Sequence, residues 1–67
     1  MVNTELLKGA IRRKGYTIES LSKDVGISRT SLFNKMHNKN EFLISEIDTI
    51  GRCLGLNKSQ FHQIFFA

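Results

Sequence analysis

The sequence predicts an all-α fold, a compact domain of five helices with one tight helical corner near its middle. Three observations carry this. The chain has no proline, and its apolar residues recur at helical spacing with little β-branched alternation. Residues 17–38, TIESLSKDVGISRTSLFNKMHN, read as two short helices separated only by Gly26, Ile27 and Ser28. Small polar residues and glycines stand where helix starts and stops are expected.

The first helix is expected over Thr4–Lys14, with Asn3 as N-cap and Val2 stapled to Leu7. Leu6, Leu7, Ala10 and Ile11 form its apolar stripe. Gly9 inside it costs about 1 kcal/mol against Ala, which suggests close packing there. Arg12, Arg13 and Lys14 crowd the last turn, where they suit the helix dipole and can also meet phosphate.

The second helix is expected over Ile18–Val25 and the third from Arg29 to about His37, with Thr17 and Ser28 as N-caps. Tyr16 and Ile27 precede these caps at staple spacing to Leu21 and Leu32. Gly26 supplies the left-handed conformation that the corner needs. A connection of three residues is of helix-turn-helix length. Leu21, Val25, Ile27, Leu32 and Met36 fall where two crossed helices share a core, and small Ser22 permits close approach. Thr30, Phe33, Asn34 and His37 fall on the other face of the third helix, with Arg29 in its first turn. That face carries no acid, and it suits the major groove of DNA.

The polar link Asn38-Lys39-Asn40-Glu41 follows. Asn38 is an acceptable left-handed cap. The fourth helix is expected over about Ile44–Leu54, and Ser45 with Asp48 fits a capping-box-like start. Ile47, Ile50 and Leu54 are its core stripe, helped by Phe42. Gly51 suggests close helix approach, Cys53 reads as a small buried residue and Gly55 as a C-cap. The fifth helix is expected over about Lys58–Phe65, with Asn57 and Gln60 as a capping box and Leu56 stapled to Phe61.

Residues 17–38 resemble the helix-turn-helix of the phage repressor and Cro family, also called the XRE-type family. Leu21, Ser22, Val25, Gly26, Ile27, Leu32 and Met36 carry the likeness. The flanking helices extend it over nearly the whole chain, residues 1–67 as a single domain. Ile18 stands where the family often has Gln, Phe33 where it often has a small or polar residue, and Asn38 where it often has Gly, and the resemblance implies a fourth-helix start two residues before Ser45, at Leu43. The resemblance implies a lambda-repressor-like domain that reads double-stranded operator DNA. On that reading Arg29 suits guanine, Asn34 suits adenine, Phe33 either meets a thymine methyl or folds back into the core, and Thr30 completes the base-reading set. Thr17, Ser28, Lys35, His37, Asn38, Lys39 and Arg13 are the expected phosphate contacts. Protonation of His37 would add a mild pH dependence.

Composition bounds the function. Sixty-seven residues make one small core, burying ~60% of the unfolded surface, with no room for an effector domain. One cysteine excludes an internal disulfide and suits a reducing cytosol, and the resemblance implies a bacterial cytoplasm, in association with the nucleoid. No signal segment is visible, and no apolar run approaches the ~20 residues of a membrane span. Residues 1–40 hold eight cations against three acids, a net +5, while residues 41–67 are at −1. With a pI near 9.7, this asymmetry points to a polyanion partner. No cofactor, metal or small-molecule ligand is expected. Cys53, His37 and His62 lack ligand spacing, and no nucleophile elbow or phosphate-cradling Gly loop occurs, so no enzyme is expected. Phe61, Phe65 and Phe66 put three aromatics in the last seven residues, more than one face of a short helix needs. Ile64, Phe65 and Phe66 are the expected homodimer interface on a near-palindromic site, at least one being left over once the core is filled, the alternative being that Phe65 and Phe66 only close the base of the core. The alternative is a protein-interaction module on the same fold, an antirepressor or modulator of a partner regulator, which Ile18, Phe33 and the terminal aromatics would serve.

Overall fold

The computed structural model describes residues 1–66. Its five helices are α1 (Thr4–Arg13), α2 (Ile18–Val25), α3 (Arg29–Met36), α4 (Ile44–Leu54) and α5 (Lys58–Phe65). The expected order and bounds agree to within a residue, with Lys14 and His37 serving as C-caps.

Local chemistry sets the helix starts. The side chains of Asn3, Thr17, Ser28 and Asn57 each accept an N–H from the first turn of the helix they begin. Asn57 and Gln60 complete a reciprocal box, with Gln60 accepting the Asn57 N–H at 3.0 Å. At α4 the earlier of the two possible starts is the one used. Leu43 has no side chain that can cap, so Glu46 reaches back and accepts the Leu43 N–H at 2.8 Å.

The corner between α2 and α3 turns on Gly26 at φ 88°, a left-handed conformation that penalises any Cβ. The N–H groups of Gly26 and Ile27 both donate to the Ser22 carbonyl. Ser22 itself is buried, and its hydroxyl donates to the Glu19 carbonyl at 2.7 Å.

Packing pairs α2 with α3 and α4, and α1 with α5. Leu7, Leu21, Leu32, Met36 and Ile50 are fully enclosed at the centre. Ala10, Ile11, Ile47, Leu54, Ile64 and Phe65 complete the core, and Tyr16, Ile18, Val25, Ile27, Phe42, Cys53 and Phe61 pack partly against it. Phe65 takes an edge-on contact from Phe42 at a centroid distance of 5.7 Å.

Three expectations are corrected here. Ile64 and Phe65 are core residues, each 3% exposed, so of the terminal aromatic group only Phe66, at 52%, remains for an interface. The reason is that α5 closes onto α1, anchored where the Asn3 N–H donates to the Ile64 carbonyl at 2.7 Å. Leu6 stands outside the α1 stripe and is exposed, because Leu7, Ala10 and Ile11 already span the inward arc. Gly9 is not a close-packing site, since a Cβ there meets nothing within 4 Å. Gly51 is one, with two Phe61 ring carbons 3.0 Å from where its Cβ would stand.

Candidate nucleic-acid interface

The candidate site is the outer face of α3 and the link that follows it. Leu32 and Met36, four residues apart, are fully buried and fix which side of α3 faces inward. Arg29, Thr30 and Phe33 are thereby exposed, and Asn34 and His37 half-exposed. Among the described residues, the side chains of Arg29, Thr30 and Asn34 have no hydrogen-bond partner, and Arg29 has no carboxylate within ion-pair distance. Their donors and acceptors are free for a ligand.

Phe33 does not fold back into the core. It is 39% exposed and stacks on the His37 imidazole with ring centroids 4.1 Å apart. His37 Nδ1 lies 2.8 Å from the Phe33 carbonyl oxygen, an acceptor, so this nitrogen carries the hydrogen and donates. Nε2 is left as the atom available to a ligand. The two side chains form one outward unit.

The C-terminal end of α3 is tied at two points. The Thr4 hydroxyl donates to the Met36 carbonyl at 2.6 Å. Asn38, at φ 62°, accepts the Val2 N–H at 2.8 Å and donates from its Nδ2 to the Val2 carbonyl at 2.9 Å. One of the expected phosphate contacts, Lys35, is corrected by the structure. The Asn38 amide holds the link to the backbone of Val2, and Asn38 itself stays exposed with a second Nδ2 hydrogen unused. Lys35 is largely withdrawn from the surface, because its ammonium donates to Glu46 Oε1 and Oε2 at 2.7 and 2.8 Å with only 16% of its side chain exposed. Burial alone would push the Glu46 carboxyl up, but the Lys35 hydrogen bonds and charge and the Leu43 N–H outweigh it and hold the group below its ordinary range.

Thr17 and Ser28 are exposed caps whose hydroxyl oxygens already accept an N–H each, from Ser20 and Ser31, both at 3.0 Å. Lys39 is exposed and unpaired among the described residues. Arg13 is also exposed, but it lies beside Gln60, Gln63 and Ile64 on the α5 side. The structure does not bring it to the free face of α3. Its neighbour Arg12, with Lys8, instead borders a cleft against the start of α2. The α1 stripe gives the reason: with Leu7, Ala10 and Ile11 inward, Arg12 and Arg13 diverge by ~100° around the helix. That stripe was the signal by which the two arginines could have been told apart. Nothing in sequence spacing pairs Lys35 with Glu46, eleven residues on.

Among the described residues, no helix is long and apolar enough to cross a membrane. Comparison with protein-family models, with curated proteins and with solved structures yields no match to this chain.

Proposed function

We propose that the chain is a sequence-specific double-stranded-DNA-binding regulator, a Cro-like repressor in mode of action, which occupies operator DNA with α3 in the major groove. The observation that supports it best is the face of α3. It pairs free hydrogen-bonding side chains, Arg29, Thr30 and Asn34, with a complete lack of carboxylates, on a helix whose opposite side is fully enclosed. Arg29 would donate to guanine O6 and N7, and Asn34 would bond adenine at N6 and N7. The Phe33–His37 stack would offer an apolar surface to a thymine methyl. Lys39 and the first turns of α2 and α3 would hold the phosphates.

A second reading has its own observation. Leu43, Ile44 and Phe66 are large apolar residues exposed to 61, 76 and 52%. They favour a protein partner, which in the first reading is a second copy on a near-palindromic operator and in the second reading is another regulator.

Site selection from a random duplex pool, followed by affinity measurement across a salt series, tests the choice. With three to six phosphate contacts, log affinity should fall against log salt with a slope of roughly −3 to −5 per protomer. Arg29→Ala and Asn34→Ala should each cost ~1–3 kcal/mol and relax one position of the selected site. Lys39→Ala should weaken all duplexes about equally. Absence of duplex binding at low salt sinks the DNA reading and leaves the protein-partner reading.

A further inference from the structure

We propose that the Phe33–His37 stack reads 5-methylcytosine in the major groove, the methyl on the Phe33 ring and the exocyclic amine donating to His37 Nε2, so that methylation of operator cytosine strengthens binding. The proposal rests on the DNA-binding reading and names the base that this part of the α3 face prefers.

Phe33 and His37 are four residues apart, so their side chains meet on one side of α3. Their planes are inclined by 30° at a centroid distance of 4.1 Å. The His37 Nδ1–H donates to the Phe33 carbonyl at 2.8 Å, which ties the imidazole to the backbone as well as to the ring. The pair is thus arranged before a ligand arrives, and binding has little left to order. Phe33 is 39% exposed, and α3 carries no carboxylate. With the hydrogen on Nδ1, Nε2 of the neutral imidazole has a lone pair and accepts. One outward unit therefore sets an apolar ring beside an acceptor.

That combination selects among the pyrimidines. In the major groove cytosine shows an N4 amine, a donor, and no methyl, while thymine shows a methyl beside O4, an acceptor. A methyl on cytosine C5 places an apolar group beside a donor, the complement of the Phe33 ring beside Nε2. Thymine also meets the apolar ring, but its O4 faces Nε2 lone pair to lone pair. Arg29 stands one turn before Phe33, exposed and without a carboxylate partner among the described residues, and it suits guanine. A helical turn is about 5.4 Å and a base-pair step about 3.4 Å, so this guanine falls within about two base pairs of the methylated cytosine.

The test starts with site selection from two random duplex pools, one built with cytosine and one with 5-methylcytosine, at about pH 8, where an ordinary imidazole is neutral. At the pyrimidine selected from the methylated pool, affinity is then compared for 5-methylcytosine, cytosine, thymine and uracil, each paired with its complement. The methyl should gain ~4-fold, in 5-methylcytosine over cytosine and in thymine over uracil, the worth of one buried methyl group. 5-Methylcytosine should exceed thymine by a further ~2–10-fold, the net worth of one hydrogen bond. Phe33→Ala should remove the methyl gain from both pairs. His37→Phe should keep that gain and lose the preference over thymine. Arg29→Ala should lose the guanine and keep the methyl gain. Circular dichroism checks each variant, and the four-base comparison on the wild-type chain stands without any of them. Equal binding of cytosine and 5-methylcytosine, or thymine bound as tightly as 5-methylcytosine, overturns the assignment while the DNA reading stands. So does a folded Phe33→Ala that keeps the methyl gain. A wild-type chain that binds no duplex overturns both.

Discussion

Lys35 of α3 and Glu46 of α4 form a two-armed ion pair, with the lysine ammonium 2.7 and 2.8 Å from the two carboxylate oxygens. Oε1 of the same carboxylate also accepts the Leu43 N–H, so one buried group starts α4 and locks α3 to it. Charge pairs with this little exposure are costly to break, since the survivor stays buried without a partner. Glu46→Ala should therefore lose about 3 kcal/mol of stability by chemical denaturation. The linkage has a definite sign. The folded-state pKa is lowered, so the contribution is complete above the ordinary glutamate range and fades as pH falls through the folded value. Glu46→Gln should flatten the stability profile in that acid window. A steep profile that survives Glu46→Gln would place the acid sensitivity elsewhere.

Tyr16 gives a second pH handle, at the opposite extreme. Its hydroxyl donates to Asp24 Oδ2 at 2.8 Å. That bond first, and then the neighbouring Cys53, push the phenol up to about 12 from 10.0. A raised pKa means the contribution is full below pH 10 and is lost as pH rises towards 12. Tyr16 is the one tyrosine in the chain, so tyrosinate absorbance reports it alone. Asp24→Ala should bring the titration midpoint back towards 10.0 while circular dichroism shows the fold intact. An unmoved midpoint would remove Asp24 as the cause.

Gly9 and Gly51 should respond to alanine with opposite signs. At Gly9 the added methyl meets nothing within 4 Å, so the helix-propensity gain stands alone, and Gly9→Ala should raise stability by about 0.5–1 kcal/mol. At Gly51 the methyl would stand 3.0 Å from the Phe61 ring, and overpacking of this kind costs about 1–3 kcal/mol, enough to offset the same gain. Urea midpoints decide both, and a destabilised Gly9→Ala would show that the outer side of α1 is occupied.

Phe66 is the exposed end of the C-terminal aromatic group. If it anchors a dimer on DNA, Phe66→Ala should leave the thermal midpoint of the protomer nearly unchanged and abolish cooperative filling of a two-half-site operator. Phe65→Ala, in the core, should instead cost about 3–5 kcal/mol. Cooperativity that survives Phe66→Ala moves the contact to Leu43 and Ile44.

The sequence by itself determined the helices, their order and the corner at Gly26. These depend on caps, staples and stripes that act within a few residues, where spacing is geometry. The same logic turned Arg29, Thr30 and Asn34 outward, because Leu32 and Met36 could only point the other way. Only the tertiary structure decided which neighbours those helices meet. It withdrew most of Lys35 from the surface by giving it Glu46, tied the Asn38 amide to Val2, and buried Ile64 and Phe65 under the contact between α5 and α1. Each outcome depends on contacts between segments distant in the chain, and a polar or apolar side chain with a choice of partners takes the one that packing brings within reach.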